Sequence, residues 1–370
     1  MIRPYKLDAI AFARLSAVDL SPRDQAHYRK GKTRMPHKVG FRSLYFEDPS
    51  RRAWDGDRPR PLLTDIWYPA MPDAIETDQF IGPPDTPLFK IGKVATNVPM
   101  LDTPDPFPLI LLSHGTGGST KQHSWLAYHL AAHGCVVAGV NHHGNNALEP
   151  YVAEGFLRFW ERPRDLSVML DHLLQTPDFG PHIDQTRIGA AGFSLGGYTV
   201  IALAGGRASF AAFQAAFVAM GVDASAMMPP EFTDAQAWAE AFQRVASNTE
   251  HQASYRDERV KAVFAIAPAL AQAFTADGLA PVTIPVSLVV GEDDTPPFTD
   301  AAHYAERIPQ AEFEVLGGHV GHYTFLAEGT LVGRQILPQL CNDALGVDRR
   351  AVHERVAEKA RVFFDGALGG

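Results

Sequence analysis

The chain is poor in cysteine: Cys135 and Cys341 are the two it has in 370 residues. Cys135 sits in the apolar run Cys135-Val136-Val137-Ala138-Gly139-Val140, which reads as a buried strand, so no disulfide framework is expected. Positive charge is in deficit too. Against 42 acidic residues stand 33 basic ones, a formal net charge of −9, and no basic run is long enough to grip phosphates. Nucleic-acid binding and electrostatic docking on anionic lipid are therefore not expected. No apolar stretch approaches the roughly 20 residues of a membrane span, so no integral membrane segment is expected. Arg3 and Lys6 open the chain, but Asp8, Arg14 and Asp19 interrupt any apolar core of a signal peptide, and a cytoplasmic location is the expectation. Internal repeats and low-complexity segments are lacking. At 46% hydrophobic and 20% charged residues, the composition is that of a globular protein rather than a disordered one.

What is present is an α/β rhythm. Residues 1–35 show little periodicity and read as an N-terminal extension. Val39 to Phe46 and Leu62 to Tyr68 read as strands. From Ile81 to Pro108, prolines 83, 84, 87, 99, 104 and 106 predict a structured loop without helix or central strand. Strands are then expected at Leu109–Leu112, Cys135–Val140, Ile188–Ala191, Val260–Ile266, Val286–Val290 and Glu312–Leu316. Helices are expected at Trp125–Ala132, Pro163–Gln175, Tyr198–Ala204, Ala301–Arg307 and Arg349–Phe364. Leu166, Met169, Leu170, Leu173 and Leu174 make one apolar stripe on the second of these helices. The predicted fold class is α/β, a mostly parallel central sheet flanked by helices. Residues 36–206 and 257–370 form its core, and residues 207–256 form a helical cap inserted over the ligand end of the strands. The alternative for 207–256 is a satellite helical layer with its own small core.

The most informative stretch is Gly192-Phe193-Ser194-Leu195-Gly196-Gly197. A strand precedes it and a helix follows, the setting of a nucleophile elbow. Gly192 and Gly196 leave space for the tight bend, and Ser194 would project its hydroxyl above the sheet. A serine hydroxyl needs a base to become a nucleophile, and the base needs a carboxylate to orient it. In such elbows the acid and then the histidine follow late in the chain. Asp294 is the preferred acid, with Glu292 and Asp293 as alternatives in Gly291-Glu292-Asp293-Asp294. His322 is the preferred base, with His319 as the alternative in Gly318-His319-Val320-Gly321-His322. The backbone N–H of Leu195 and that of Thr116, in the glycine-rich Ser113-His114-Gly115-Thr116-Gly117-Gly118, are the expected oxyanion donors. His143, Phe217 and Trp238 are expected to contact substrate. Histidines 114, 142, 143 and 319 raise the question of zinc, but their spacing matches no metal motif and no metal is expected.

Several motifs together resemble an α/β-hydrolase of the predicted dienelactone hydrolase group, related to the platelet-activating-factor acetylhydrolases. They are PLLTDIWYPA, LILLSHGTGG, HIDQTRIGAAGFSLGG, PVSLVVGEDDTPP, GHYTF and LCNDALGVDRRAVHERV, spanning from about Val39 to the C-terminus. The resemblance implies an α/β-hydrolase fold and hydrolysis of a small-molecule carboxylic ester through an acyl-enzyme, without a cofactor. Two departures qualify it. The acetylhydrolases place their acid after the strand that follows the nucleophile helix, where this chain has Ala265-Ile266-Ala267-Pro268-Ala269-Leu270 and no carboxylate. The nucleophile is a serine, not the cysteine of true dienelactone hydrolases. Neither relative's substrate therefore carries over. An amidase or peptidase using the same triad, and a non-catalytic ligand-binding module, are the competing expectations.

Overall fold

The computed structural model describes residues 36–219, 221, 228, 232–246, 248–294 and 301–369. The extension expected over residues 1–35 lies outside the described residues, as do Met220, Met227 and the side chain of Phe217 within the expected cap.

Eleven strands form one sheet: β1 Lys38–Arg52, β2 Pro59–Ala70, β3 Thr77–Ile81, β4 Phe89–Thr96, β5 Phe107–Ser113, β6 Val136–Asn141, β7 Ile183–Phe193, β8 Val260–Ile266, β9 Val286–Gly291, β10 Glu312–Leu316 and β11 Glu328–Gly329. Strands β10-β9-β8-β7-β5-β6 run parallel, and β2 then β1 continue the sheet antiparallel. The main helices among the described residues are α1 Ser124–Ala132, α2 Ala153–Leu157, α3 Glu161–Gln175, α4 Leu195–Leu203, α5 Phe210–Ala219, α6 Ala235–Ala246, α7 Ala301–Arg307, α8 Leu331–Ile336 and α9 Arg349–Ala367, with single-turn helices at Ala276–Leu279 and Pro338–Cys341. Among the described residues, no helix is long and apolar enough to cross a membrane.

Two apolar cores form because the central strands are buried on both faces. Along β5 the side chains alternate. Leu109 and Leu111 enter the core built with α3 and α4, and Ile110 and Leu112 enter the core built with α1 and α9. The stripe read on α3 is the face it buries: Leu166, Met169, Leu170 and Leu173 are each 0% exposed. Strand β5 lies between β6 and β7, and the chain leaves β5 toward β6 but leaves β7 toward β8, in opposite directions across the sheet. The ends of β5 and β7 diverge into loops at that switch point, the usual place for a ligand in such sheets. Ser113 pairs in register with Gly192, which brings the two glycine-rich loops side by side.

The proline-rich connection departs from expectation. It contains β4, which pairs parallel with β1 and antiparallel with β3 and β11. The prolines flank Phe89–Thr96 without entering it, so its N–H groups remain free to join a ladder. In the inserted segment, Phe210, Phe213, Phe232, Trp238, Ala241, Phe242 and Val245 are buried and continuous with the α3–α4 core.

Among the described residues, His114, His123, His142 and His353 are buried and held neutral. Burial pushes His123 and His142 down to about 3 and His353 down to about 4, and it holds His114 well below its ordinary value. An unfolded histidine titrates near 6.5. Below that pH the unfolded chain takes up protons that the native state refuses, so stability present above pH 6.5 is lost as pH falls toward 3–4. Urea unfolding at pH 7.5 and 5.5 is expected to differ by about 1.4 kcal/mol for each such histidine. Equal stability at the two values would contradict the buried neutral state.

Candidate active site

Ser194 is the residue between β7 and α4, with φ 54° and ψ −117°. A side chain rarely adopts that backbone region, and it persists where the surroundings over-determine it. The neighbours do so here. A Cβ on Gly192 would collide with the carbonyl of Gly196, and one on Gly196 would collide with the carbonyl of Ser113. Ser194 N–H donates to Ile266 O (2.9 Å), and Ala269 N–H donates to Ser194 O (3.0 Å). The carboxylate-free segment after β8 thus braces the elbow.

His322 Nε2 lies 3.0 Å from Ser194 Oγ, and its Nδ1 lies 3.1 Å from each oxygen of Asp294. The Asp294 side chain is 3% exposed and that of His322 is 23% exposed. The two neighbouring carboxylates are engaged otherwise. Glu292 accepts the N–H groups of Gly318 (2.9 Å) and His319 (3.2 Å), and Asp293 lies 3.2 Å from His319 Nδ1. His319 has a side chain 68% exposed, and its hydrogen bond runs to Asp293 rather than to Ser194.

The His322 turn is anchored by residues that sequence reasoning passed over. His353 Nε2 donates to Thr324 O (2.8 Å), Trp125 Nε1 donates to Phe325 O (3.0 Å), and Thr324 Oγ1 donates to Asp343 (2.8 Å). Trp125 stacks on His353 at 4.3 Å between ring centroids, and Arg349 bridges Asp343 to the carbonyls of Leu326, Ala327 and Leu340. GHYTF carries Thr324 and Phe325 and the tail segment carries Asp343, Arg349 and His353, which was the available signal, whereas Trp125 lies in neither. The Phe193 ring, 4.7 Å from that of His322, supports the imidazole from below.

Leu195 opens α4, and Thr116 is exposed on the loop after β5. Among the described residues neither backbone N–H meets a protein acceptor. Other members of the loop are tied down. Gly117 N–H donates to Asn145 Oδ1 (2.6 Å), Gly117 O accepts from Tyr151 (2.9 Å), and Ala147 N–H donates to Gly118 O (2.9 Å).

Two expected substrate contacts are corrected. His143 is 2% exposed; its Nδ1 lies 2.9 Å from Glu149, and its Nε2 accepts from Trp54 N–H (3.0 Å). Both nitrogens are consumed in holding the loop after β6, so the ring is a strut and not a rim contact. Trp238 is 5% exposed and packs on Phe232 at 5.8 Å, inside the core. The histidines considered for zinc do not converge as ligands. His114 and His142 also spend both ring nitrogens on neighbours, 2.6–3.0 Å away.

Known proteins share this fold. A solved structure, the ferulic acid esterase from Streptomyces cinnamoneus, superimposes with a TM-score of 0.59 at 21% identity, covering 91% of this chain and 92% of that one. The fold is that of an α/β-hydrolase. Within that fold the chain resembles the platelet-activating factor acetylhydrolase group. A sequence model described as platelet-activating factor acetylhydrolase, isoform II, matches residues 89–158. The platelet-activating factor acetylhydrolase of Cavia porcellus is 26% identical over 212 residues, 45% of this chain and 47% of that protein. The match thus spans about half the length of that relative. Residues 89–158 hold the loop after β5 and the loop after β6, but not Ser194, Asp294 or His322.

The steric constraint at the elbow acts on stability as well as on the site. Gly196→Ala sets a Cβ against the Ser113 carbonyl, backbone against backbone, and is expected to cost about 3 kcal/mol in urea unfolding. A loss below about 0.5 kcal/mol would mean that the bend does not need the glycine.

Proposed function

We propose that this chain is a serine hydrolase that cleaves carboxylic esters of moderately apolar substrates through an acyl-enzyme. The observation that carries the reading is the unbroken chain of short contacts from Asp294 through His322 to Ser194. Ser194 Oγ attacks the ester carbonyl while His322 Nε2 takes its proton. Asp294 holds the proton on Nδ1, keeping the imidazole in the useful tautomer and stabilising the imidazolium that forms. The tetrahedral oxyanion is received by the N–H groups of Leu195 and Thr116. Collapse expels the alcohol, which takes the proton from His322. Water then attacks the acyl-enzyme, His322 takes a proton from it, and that proton returns to Ser194 as the acid leaves. Each step uses side chains, backbone amides and water.

The relative in Cavia porcellus is named an acetylhydrolase, which supports an ester bond as the target. A run of packed aromatic rings leads from the loop after β5 into the inserted segment. Tyr151, bonded to Gly117 O, meets Phe156 at 5.3 Å; Phe156 meets Phe232 at 6.1 Å, and Phe232 meets Trp238. This same run supports residues 207–256 as a cap on a core of residues 36–206 and 257–370. Ion pairs Arg244–Glu154 (2.5 Å) and Arg158–Glu250 (2.6 Å) tie the segment to the residues around α2.

A fluorophosphonate probe is expected to label Ser194 stoichiometrically, and Ser194→Ala is expected to lower hydrolysis of p-nitrophenyl butyrate by about 10⁶-fold. Full turnover by a pure Ser194→Ala sample would end the proposal. Parallel rates on the matching anilide separate esterase from amidase action. Among the carboxylates, Asp294→Asn is expected to lower kcat by about 10⁴-fold and Asp293→Asn by less than about threefold. Equal losses would reassign the acid.

A further inference from the structure

Behind the loop after β5 lies a buried polar cluster that the triad does not use. Ser113 Oγ lies 2.9 Å from His142 Nε2, and His142 Nδ1 lies 2.9 Å from Asp165. This is a second Ser–His–Asp chain, but Ser113 and Asp165 are 0% exposed and His142 is 1% exposed, so no substrate meets it. Asp165 is held by Arg60 (2.7 and 2.9 Å) and Arg51 (2.8 Å). Burial opposes its charge, but those two guanidinium groups outweigh burial and keep the carboxyl well below its ordinary range. At the centre is Arg162 of α3, 1% exposed.

Arg162 joins the two halves of the oxyanion site. One Nη donates to the carbonyl of His114 and lies 3.4 Å from Ser113 Oγ. Its Nε donates to Thr199 Oγ1 (3.2 Å), and that hydroxyl donates to Leu195 O (2.8 Å) at the start of α4. A trans peptide points its C=O and the following N–H in opposite directions. A guanidinium drawing the His114 carbonyl inward therefore turns the Gly115 N–H outward. The next peptide is set the same way: His114 Nδ1 donates to Gly115 O (2.6 Å), which turns the Thr116 N–H outward. His114 keeps that tautomer because its Nε2 accepts from His142 N–H (3.0 Å). Gly115 lies against Ser194, since a Cβ on it would stand 3.4 Å from Ser194 Cβ.

We infer that Arg162 is a positioning residue for the proposed reaction, acting through the His114 carbonyl to fix the loop backbone that presents the Thr116 N–H to the oxyanion before substrate arrives. The inference rests on the ester-hydrolase reading above. Its cost to the fold supports it. Burial lowers the Arg162 pKa to about 9 against the pull of Asp165, and Nη1 has no hydrogen-bond partner among the described residues. A buried cation so incompletely matched is a poor stabiliser, and an apolar side chain of similar length would serve the core as well. Lysine is no substitute, because one ammonium cannot reproduce a planar fork that spans His114, Ser113 and Thr199.

The test compares Arg162→Met and Arg162→Lys with the parent on p-nitrophenyl butyrate, together with thermal melting and inhibition by a trifluoromethyl ketone, whose adduct carries an oxyanion. Both variants are expected to lose about 10- to 100-fold in kcat with KM within about threefold. Inhibitor affinity should fall in parallel, and Arg162→Met should melt no lower than the parent. Loss through KM alone, kcat within about twofold of the parent, or failure of both variants to fold would each overturn the inference. Stoichiometric phosphonate labelling of the parent keeps the two proposals apart. A parent that does not label at Ser194 removes the hydrolase reading. A labelling parent with an unimpaired Arg162→Lys variant removes this inference alone.

Discussion

The organisation of the site depends on one backbone constraint, the bend at Ser194. Turning directly from β7 into α4 forces the serine to φ 54° and ψ −117°, a conformation that costs on the order of 1–3 kcal/mol. The turn closes only because Gly192 and Gly196 present no Cβ to each other's backbone or to β5. The bend lifts the hydroxyl clear of the sheet and starts a helix beneath it. Every other group of the site is arranged around that fixed point. The segment after β8 braces it by two backbone hydrogen bonds, and Phe193, one residue earlier, supports the ring of His322.

Two different kinds of electrostatic environment meet at this bend. On one side His322 is partly open to solvent and paired with a nearly buried Asp294, which suits the proton transfer proposed for it. On the other side the Ser113–His142–Asp165 chain repeats the same residue types in a fully buried setting with three arginines nearby. There His142 is held neutral and donates to a carboxylate that is already charge-balanced. Identical residue types therefore stand in two settings, one open as the proposed proton transfer requires and one closed and rigid. Solvent access and the placement of neighbouring cations separate the two roles.

Much of the architecture was legible because burial on both faces leaves a plain mark in the text. The runs at Leu109–Leu112, Val136–Val140, Ile188–Ala191 and Val286–Val290 are strands for that reason, and the stripe on α3 is its buried face. Strand β4 escaped because proline density was averaged over a window, whereas proline acts at its own position and the one before it. His143 was misjudged because a ring on a loop at the ligand end of a sheet looks available until its two hydrogen-bond partners, Glu149 and the Trp54 amide, are placed. In the anchoring set, Asp343, Arg349 and His353 share the tail segment, but their joining to Trp125, about 200 positions earlier, left no local pattern.

The sequence by itself determined the order of strands and helices, the small residues on which the bend relies, and the short segments that carry an acid and a base. Those are local properties, written in periodicity, in glycine placement and in the residue types beside them. Only the tertiary structure decided which of three adjacent carboxylates faces the imidazole, which of two nearby histidines reaches the hydroxyl, and that an arginine 32 positions before the serine bridges the loop and the helix that flank it. These choices turn on distances of about 3 Å between groups far apart in the chain. Hydrogen bonds fall off over fractions of an ångström, and no periodicity along the sequence encodes separations of that kind.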